Sequence, residues 1–240
     1  MRRRRIAWIV GAAAALVLLP LALDVAAEAL HDTLTIRWNA RVSEFLDRLP
    51  YRVRGRICEG NETCAISTLR SISSSEAQLQ ATGLVDEDRD GTGEYGGFLE
   101  LSAGTPVRGR DAPISPPVVS GVFRNLGADG AASRSGYLFR IWLPEKDGAF
   151  VGETQSGFAA GRADPDAAER RWRCYAWPRR YDHTGIRSFA VDESGDIFAT
   201  DDERWSGDGT GPTGASLDGR PSAQATTWTS ADGHVWTQVN

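Results

Sequence analysis

Apolar positions along this chain follow three rhythms, and each predicts a different kind of element. The first is an unbroken apolar run, IAWIVGAAAALVLLPLAL, from Ile6 to Leu23, preceded by MRRRR and closed by Asp24. As a helix, and extended by Val25–Ala27, it is just long enough to cross a hydrocarbon core. It therefore predicts a transmembrane anchor over residues 6–27, with residues 1–5 as a basic cytoplasmic segment and everything after it on the other side. Pro20 would kink such a helix without excluding it from lipid. A cleavable signal peptide competes with this reading, since small residues at Ala27 and Ala29 fit a cleavage site. Both readings predict that the domain beyond residue 28 leaves the cytoplasm.

The second rhythm has a helical period. Leu30, Leu34, Trp38, Val42, Phe45 and Leu49 recur three or four apart until Pro50, which predicts an amphipathic helical stalk over residues 28–50. After a polar junction, YRVRGRICEGNETC, a second helix is expected from about Asn61 to Thr82. Its apolar face is Ala65, Ile66, Leu69, Ile72, Ala77 and Leu79, with Gly83 at its end.

The third rhythm is that of strands between Gly- and Pro-rich loops. Runs 118–123, 136–143, 173–177, 188–191 and 197–199 read as strands. Glu193, Ser194 and Gly195 separate two of them as a hairpin turn, as do Ala231, Asp232 and Gly233 in the last hairpin. These elements predict an α+β domain over 51–201, one helix on an antiparallel sheet. A flexible loop or linker over 202–223 and a terminal β-hairpin over 224–240 would follow.

Composition changes this picture little. The chain has 240 residues with 41% hydrophobic content, and Lys146 is its one lysine. The formal net charge is −5, and removing the arginines at 2–5 leaves a more acidic domain, so nucleic acid is a poor partner.

Candidate chemistry centres on the acidic stretch after the second helix. Asp86, Asp88, Asp90, Gly91 and Glu94 form D-x-D-x-D-G-x-x-E, in which alternate carboxylates converge on a hard cation and the Thr92 carbonyl adds a ligand. Calcium is the cation expected there. Gly97 stands where an EF-hand carries its bidentate Glu, although Glu100 offers to close a looser site. The alternative is a solvated acidic turn. Cys58 and Cys64 are candidates for a local disulfide, while Cys174 is read as a buried thiol or as a partner for one of them. No G-x-S-x-G, H-E-x-x-H or phosphate-cradling glycine loop occurs, and nothing selects a catalytic pair among 32 acids, so no enzyme is expected. Trp205, Trp228 and Trp236, and the segment RRWRCYAWPRR, offer aromatic surfaces for a glycan or acidic ligand if exposed, and core strands if not.

Taken jointly, several motifs resemble a known family. They are Asn61, Glu62, Ala65, Ile66, Leu69 and Arg70 on the helix; Gly93, Glu94, Tyr95 and Gly96 in a loop; Ser135, Gly136, Tyr137 and Phe139 on a strand; and Phe189, Val191, Gly195 and Ile197 in a hairpin. Over about residues 58–201 the chain is similar to bacterial type IV pilin-like proteins and type II secretion major pseudopilins, in the form of a planctomycete-type prepilin-like domain. The prepilin leader is absent, with Gly11 inside the apolar run and no glutamate before Glu28. The resemblance implies a pilin-like fold in a bacterial envelope and a non-catalytic structural or assembly role, with self-association or contacts to secretion proteins. The alternative is a membrane-tethered binding module with structural calcium.

Overall fold

The structure is a computed structural model that describes residues 51–222 and 224–239. The basic segment 1–5, the expected anchor 6–27 and the expected stalk 28–50 lie outside the described residues. Among the described residues no helix is long and apolar enough to cross a membrane. The long helix α1, Tyr51–Thr82, has the length but not the composition, since Arg52, Arg54, Arg56, Glu59, Glu62, Arg70 and Glu76 punctuate it. The expected single-pass topology, bilayer partner and envelope location are accordingly corrected to a helix-on-sheet α+β domain without a membrane span among the described residues.

α1 starts ten residues before the helix that the apolar stripe predicts. The polar junction is helical because its side chains find tertiary partners. Asn61 Nδ2 donates to the Thr184 carbonyl, and the Glu62 carboxylate accepts from the Ile186 and Arg187 amides. Further along, Ala65, Leu69, Ile72 and Leu79 are fully buried on one face. Each buried Leu or Ile contributes roughly 1.5–3 kcal/mol, enough to offset the low helix propensity of Ser71 and Ser73–Ser75.

Both Cys58 and Cys64 sit on α1 and are free thiols, as is Cys174. The expected Cys58–Cys64 disulfide is thereby corrected. Six helical residues separate Cα atoms by about 9 Å along the axis, beyond the roughly 7 Å that a disulfide spans. The two side chains also face differently, Cys58 inward and Cys64 outward.

Among the described residues eight strands form one antiparallel sheet: β1 Ala132–Arg134, β2 Tyr137–Pro144, β3 Phe150–Gly152, β4 Arg173–Pro178, β5 Arg187–Asp192, β6 Ile197–Asp201, β7 Thr227–Thr229 and β8 Val235–Val239. The order across the sheet is β1-β2-β4-β5-β6-β8-β7, with β3 also paired to β2. The terminal hairpin β7–β8 continues the main sheet, because β8 pairs with β6 through Ile197–Val239, Phe198–Gln238 and Ala199–Thr237. Residues 118–123, read as a strand, instead lead into a 3₁₀ turn, Gly121–Arg124, capped by Ser120. Val118 and Val119 there donate to the Leu101 carbonyl rather than to a strand.

Each central strand is buried on both faces, and β4 is buried at every position. On one face α1 packs with Phe98, Phe123, Phe139, Phe189 and Val191. On the other, Leu138, Tyr175, Trp177, Phe198, Trp228 and Trp236 form a second core, closed by Trp205 and Leu217. Those last two come from the stretch 202–222, which has neither strand nor helix yet covers the sheet. Its glycines let backbone lie directly on aromatic rings: a Cβ on Gly211 would stand 2.5 Å from the Trp177 indole. Carbonyls of the same stretch satisfy the ring N–H groups, Trp177 Nε1 donating to Gly207 at 2.9 Å and Trp236 Nε1 to Ser216 at 2.7 Å.

Candidate metal site

The acidic loop leaves α1 at Gly83 and returns to the core at Glu94. Its tip is shaped by its own aspartates. Asp88 Oδ1 accepts the Asp90 amide at 3.2 Å, and Asp90 Oδ1 accepts the Thr92 amide at 2.7 Å. Arg89 and Gly91 adopt left-handed backbone conformations, φ 63° and 92°, which curl the tip. Asp88, Asp90 and Thr92 are exposed.

The five residues that the D-x-D-x-D-G-x-x-E pattern singles out do not all meet. Glu94 turns inward and is 1% exposed. It accepts from Arg108 Nη1 at 3.0 Å and from the Glu87 amide at 2.5 Å. Glu100 is also buried, bound to the Gly97 and Arg108 amides and to Arg108 Nε. Asp86 is half-buried, with Oδ1 enclosed and lacking a hydrogen-bond partner. Glu94 and Glu100 thus anchor the base of the loop through Arg108, and Asp88 and Asp90 remain at the tip.

Two acids from a distant segment join them. Helix α3, Pro165–Ala168, starts at Asp164, whose carboxylate accepts the Ala167 amide at 3.0 Å, with Pro165 in the first turn. The Asp164 amide donates to the Pro144 carbonyl, and the Tyr95 amide donates to the Ala168 carbonyl, both at 2.9 Å. These bonds fasten α3 between the end of β2 and the base of the acidic loop. Asp166 and Glu169, three residues apart and so on one side of the turn, then face the tip. One carboxylate oxygen from each of Asp88, Asp90, Asp166 and Glu169 lies within 4.8 Å of the other three. Among the described residues no other His, Cys, Asp or Glu side chains gather in this way.

The donor set is all carboxylate, the chemistry of a hard cation rather than of zinc or copper. One member is already ion-paired, Arg170 Nη1 standing 3.5 Å from Glu169. Partial burial, then the negative charge of Asp90, Asp166 and Asp88, pushes the Glu169 carboxyl up, against the opposing pull of Arg170. The cluster is therefore compatible with metal-ion binding. The pattern D-P-D-x-x-E over 164–169 carries both the helix start and the i, i+3 carboxylates. That was the available signal for Asp166 and Glu169, but nothing local says which loop they meet.

The aromatic candidates are not a ligand platform. Trp205, Trp228 and Trp236 are at most 7% exposed, and Trp172 and Trp177 are buried in and beside β4. A sugar needs an open ring face, and these rings are spent on the two cores. Arg171 and Arg173 stack over Phe150 with guanidinium carbons 4.8 and 4.0 Å from its centre. No protein-family model matches the chain, and comparison with curated proteins and with solved structures found no match either.

Proposed function

We propose that this is a non-catalytic, pilin-like domain that binds calcium at Asp88, Asp90, Asp166 and Glu169. The convergence of these four carboxylates from two distant segments carries the reading. Exposed oxygen donors on a curled loop and a short helix suit calcium, which tolerates irregular coordination of six to eight oxygens. Magnesium requires a near-octahedral shell and keeps most of its water. Bound there, the ion would tie the 86–94 loop to α3, a structural clasp rather than a reaction centre. The pilin-like reading is supported by a long helix packed on an antiparallel sheet and by the joint motif on residues 61–70, 93–96, 135–139 and 189–197.

Calorimetric titration with calcium chloride tests this, run beside magnesium chloride at matched ionic strength. The expected affinity is that of extracellular calcium modules, a Kd on the order of 10⁻⁴–10⁻³ M. At about tenfold excess over Kd the melting transition gains roughly 1.4 kcal/mol. Asp88→Asn with Asp166→Asn should abolish the heat. Equal responses to both salts, or a calcium response that survives the double substitution, would overturn the assignment.

A further inference from the structure

Beneath the acidic loop, Glu76 from α1, Glu100 from the short helix α2 (Phe98–Leu101) and Glu153 from the end of β3 converge on one turn. The four consecutive amides of residues 96–99 each donate to one of them: Gly96 to Glu76 Oε2 at 2.9 Å, Gly97 to Glu100 Oε2 at 2.9 Å, Phe98 to Glu153 Oε2 at 2.7 Å and Leu99 to Glu153 Oε1 at 3.0 Å. Glycine at 97 is what admits the acids so closely, since a Cβ there would stand 2.5 Å from Glu153 Oε1. Glu100 Oε1 accepts the Arg108 amide at 2.8 Å. Five of the six carboxyl oxygens are thus satisfied by N–H donors. The sixth, Glu76 Oε1, is buried and has none.

Charge is unbalanced in the same way. Glu76 and Glu153 are fully buried and Glu100 is 4% exposed. The cation facing them is Arg108, whose Nε is held by Glu100, Nη1 by Glu94 and Nη2 by the Tyr95 carbonyl. The other titratable groups that face Glu76 are Tyr95 from the turn and Cys174 from β4, neither of which supplies positive charge. Glu94 and Glu87 add further carboxylates around Arg108.

We infer that the native domain holds a proton on Glu76 Oε1, and that loss of this proton is a built-in release for the turn Gly96–Leu99. A neutral carboxyl removes the uncompensated charge while Oε2 still accepts the Gly96 amide. An ionised Glu76 would share a buried space with Glu100 and Glu153 against a guanidinium already committed elsewhere, and the cost of burying that charge is relieved by opening the turn. Burial pushes the Glu76 carboxyl well up and the Glu153 carboxyl to about 8, so both favour the protonated form when folded. The stability this contributes is full below the ordinary glutamate range. It is lost as the pH rises through the folded values, which for Glu153 is about 8.

The test is carboxyl-carbon NMR of the full chain labelled at glutamate, with amide hydrogen exchange of residues 96–99 across the same pH range. The Glu76 carbon should show the shift of a neutral acid above the ordinary glutamate range and ionise only as the pH is raised further. Over that range the four amides should exchange faster than the roughly tenfold per pH unit that hydroxide catalysis alone gives to a fixed opening equilibrium. Glu76→Gln should abolish the excess. A Glu76 that ionises within the ordinary glutamate range, or wild-type exchange that follows hydroxide alone, would overturn the inference. Because the carboxyl titration is read on the unaltered chain, it decides the matter even if the glutamine variant does not fold.

Discussion

The imidazole of His234 lies flat against the indole of Trp205, ring centroids 3.9 Å apart and planes 17° from parallel. Trp205 belongs to the irregular layer after β6, and His234 to the turn between β7 and β8. One stacked pair therefore fastens the covering layer to the last hairpin. Trp205 also leans on Trp236, 5.6 Å between centroids. Trp205→Ala should remove both contacts and leave a cavity, costing about 3–5 kcal/mol. Chemical denaturation followed by tryptophan fluorescence measures it. A loss of under about 1 kcal/mol, the size of an ordinary surface substitution, would show that the layer is not part of the cooperative unit.

The same histidine sits between two acids, Nε2 2.9 Å from Asp202 and Nδ1 2.9 Å from Asp232. The Arg204 side chain, hydrogen-bonded to Asp202, holds that carboxyl below the usual range against its partial burial, and the charge of His234 helps. Burial pushes Asp232 up, but hydrogen bonds from Ser230, His234 and Ser216 outweigh it and leave the carboxyl low. Two depressed acids contribute stability that is present above the normal aspartate range and lost as pH falls through their folded values. Acidification below about pH 4 should therefore loosen the outer layer first, seen as a change in Trp205 and Trp236 emission before helix content falls. Asp202→Asn should weaken this acid response, and an unchanged profile would remove the pair from the account.

Helix α1 is pinned to β5 by one carboxylate. Glu62 Oε1 accepts the Ile186 and Arg187 amides at 3.0 and 3.1 Å, and Oε2 accepts Arg187 Nε at 2.9 Å. Glu62→Ala strands those amides and should destabilise the fold by about 2–3 kcal/mol. Glu62→Gln, which keeps an acceptor oxygen, should recover part of that. Thermal unfolding of both variants measures the difference, and equal melting temperatures would mean the clamp is replaced by solvent.

Local pattern made the helix face and most strands legible. The short apolar runs 136–143, 173–177, 188–191 and 197–199, set between Gly- and Pro-rich loops, lead directly to β2, β4, β5 and β6. The stripe Ala65, Leu69, Ile72 and Leu79 is the face that α1 buries. Elements defined by distant partners were not legible. The first ten residues of α1 look like a polar junction until Asn61 and Glu62 meet the 184–187 segment. The Gly-rich stretch after β6 reads as a linker because the aromatic surface its backbone covers lies on other strands. The site shows the same limit. Asp88 and Asp90 are visible as an acidic loop, but the inward turn of Glu94 depends on Arg108, and Asp166 with Glu169 arrive from across the fold. The spacing of Cys58 and Cys64 suits a disulfide only where the chain is not helical, and α1 instead holds the two thiols apart.

The placement of β8 between β6 and β7 has a consequence for how the protein is made. The strands that supply most of the α1-face core are synthesised by Asp201, with Val239 of β8 joining it last, so that half of the molecule can begin to close before the opposite face. Trp205 and Leu217 emerge before Trp228 and Trp236, the partners that enclose them. For the time it takes to add those residues, a broad aromatic surface stands open on an otherwise finished sheet, with the edge of β6 still unpaired. That interval is when the nascent chain is most open to capture by a chaperone or by the same edge of a neighbouring copy.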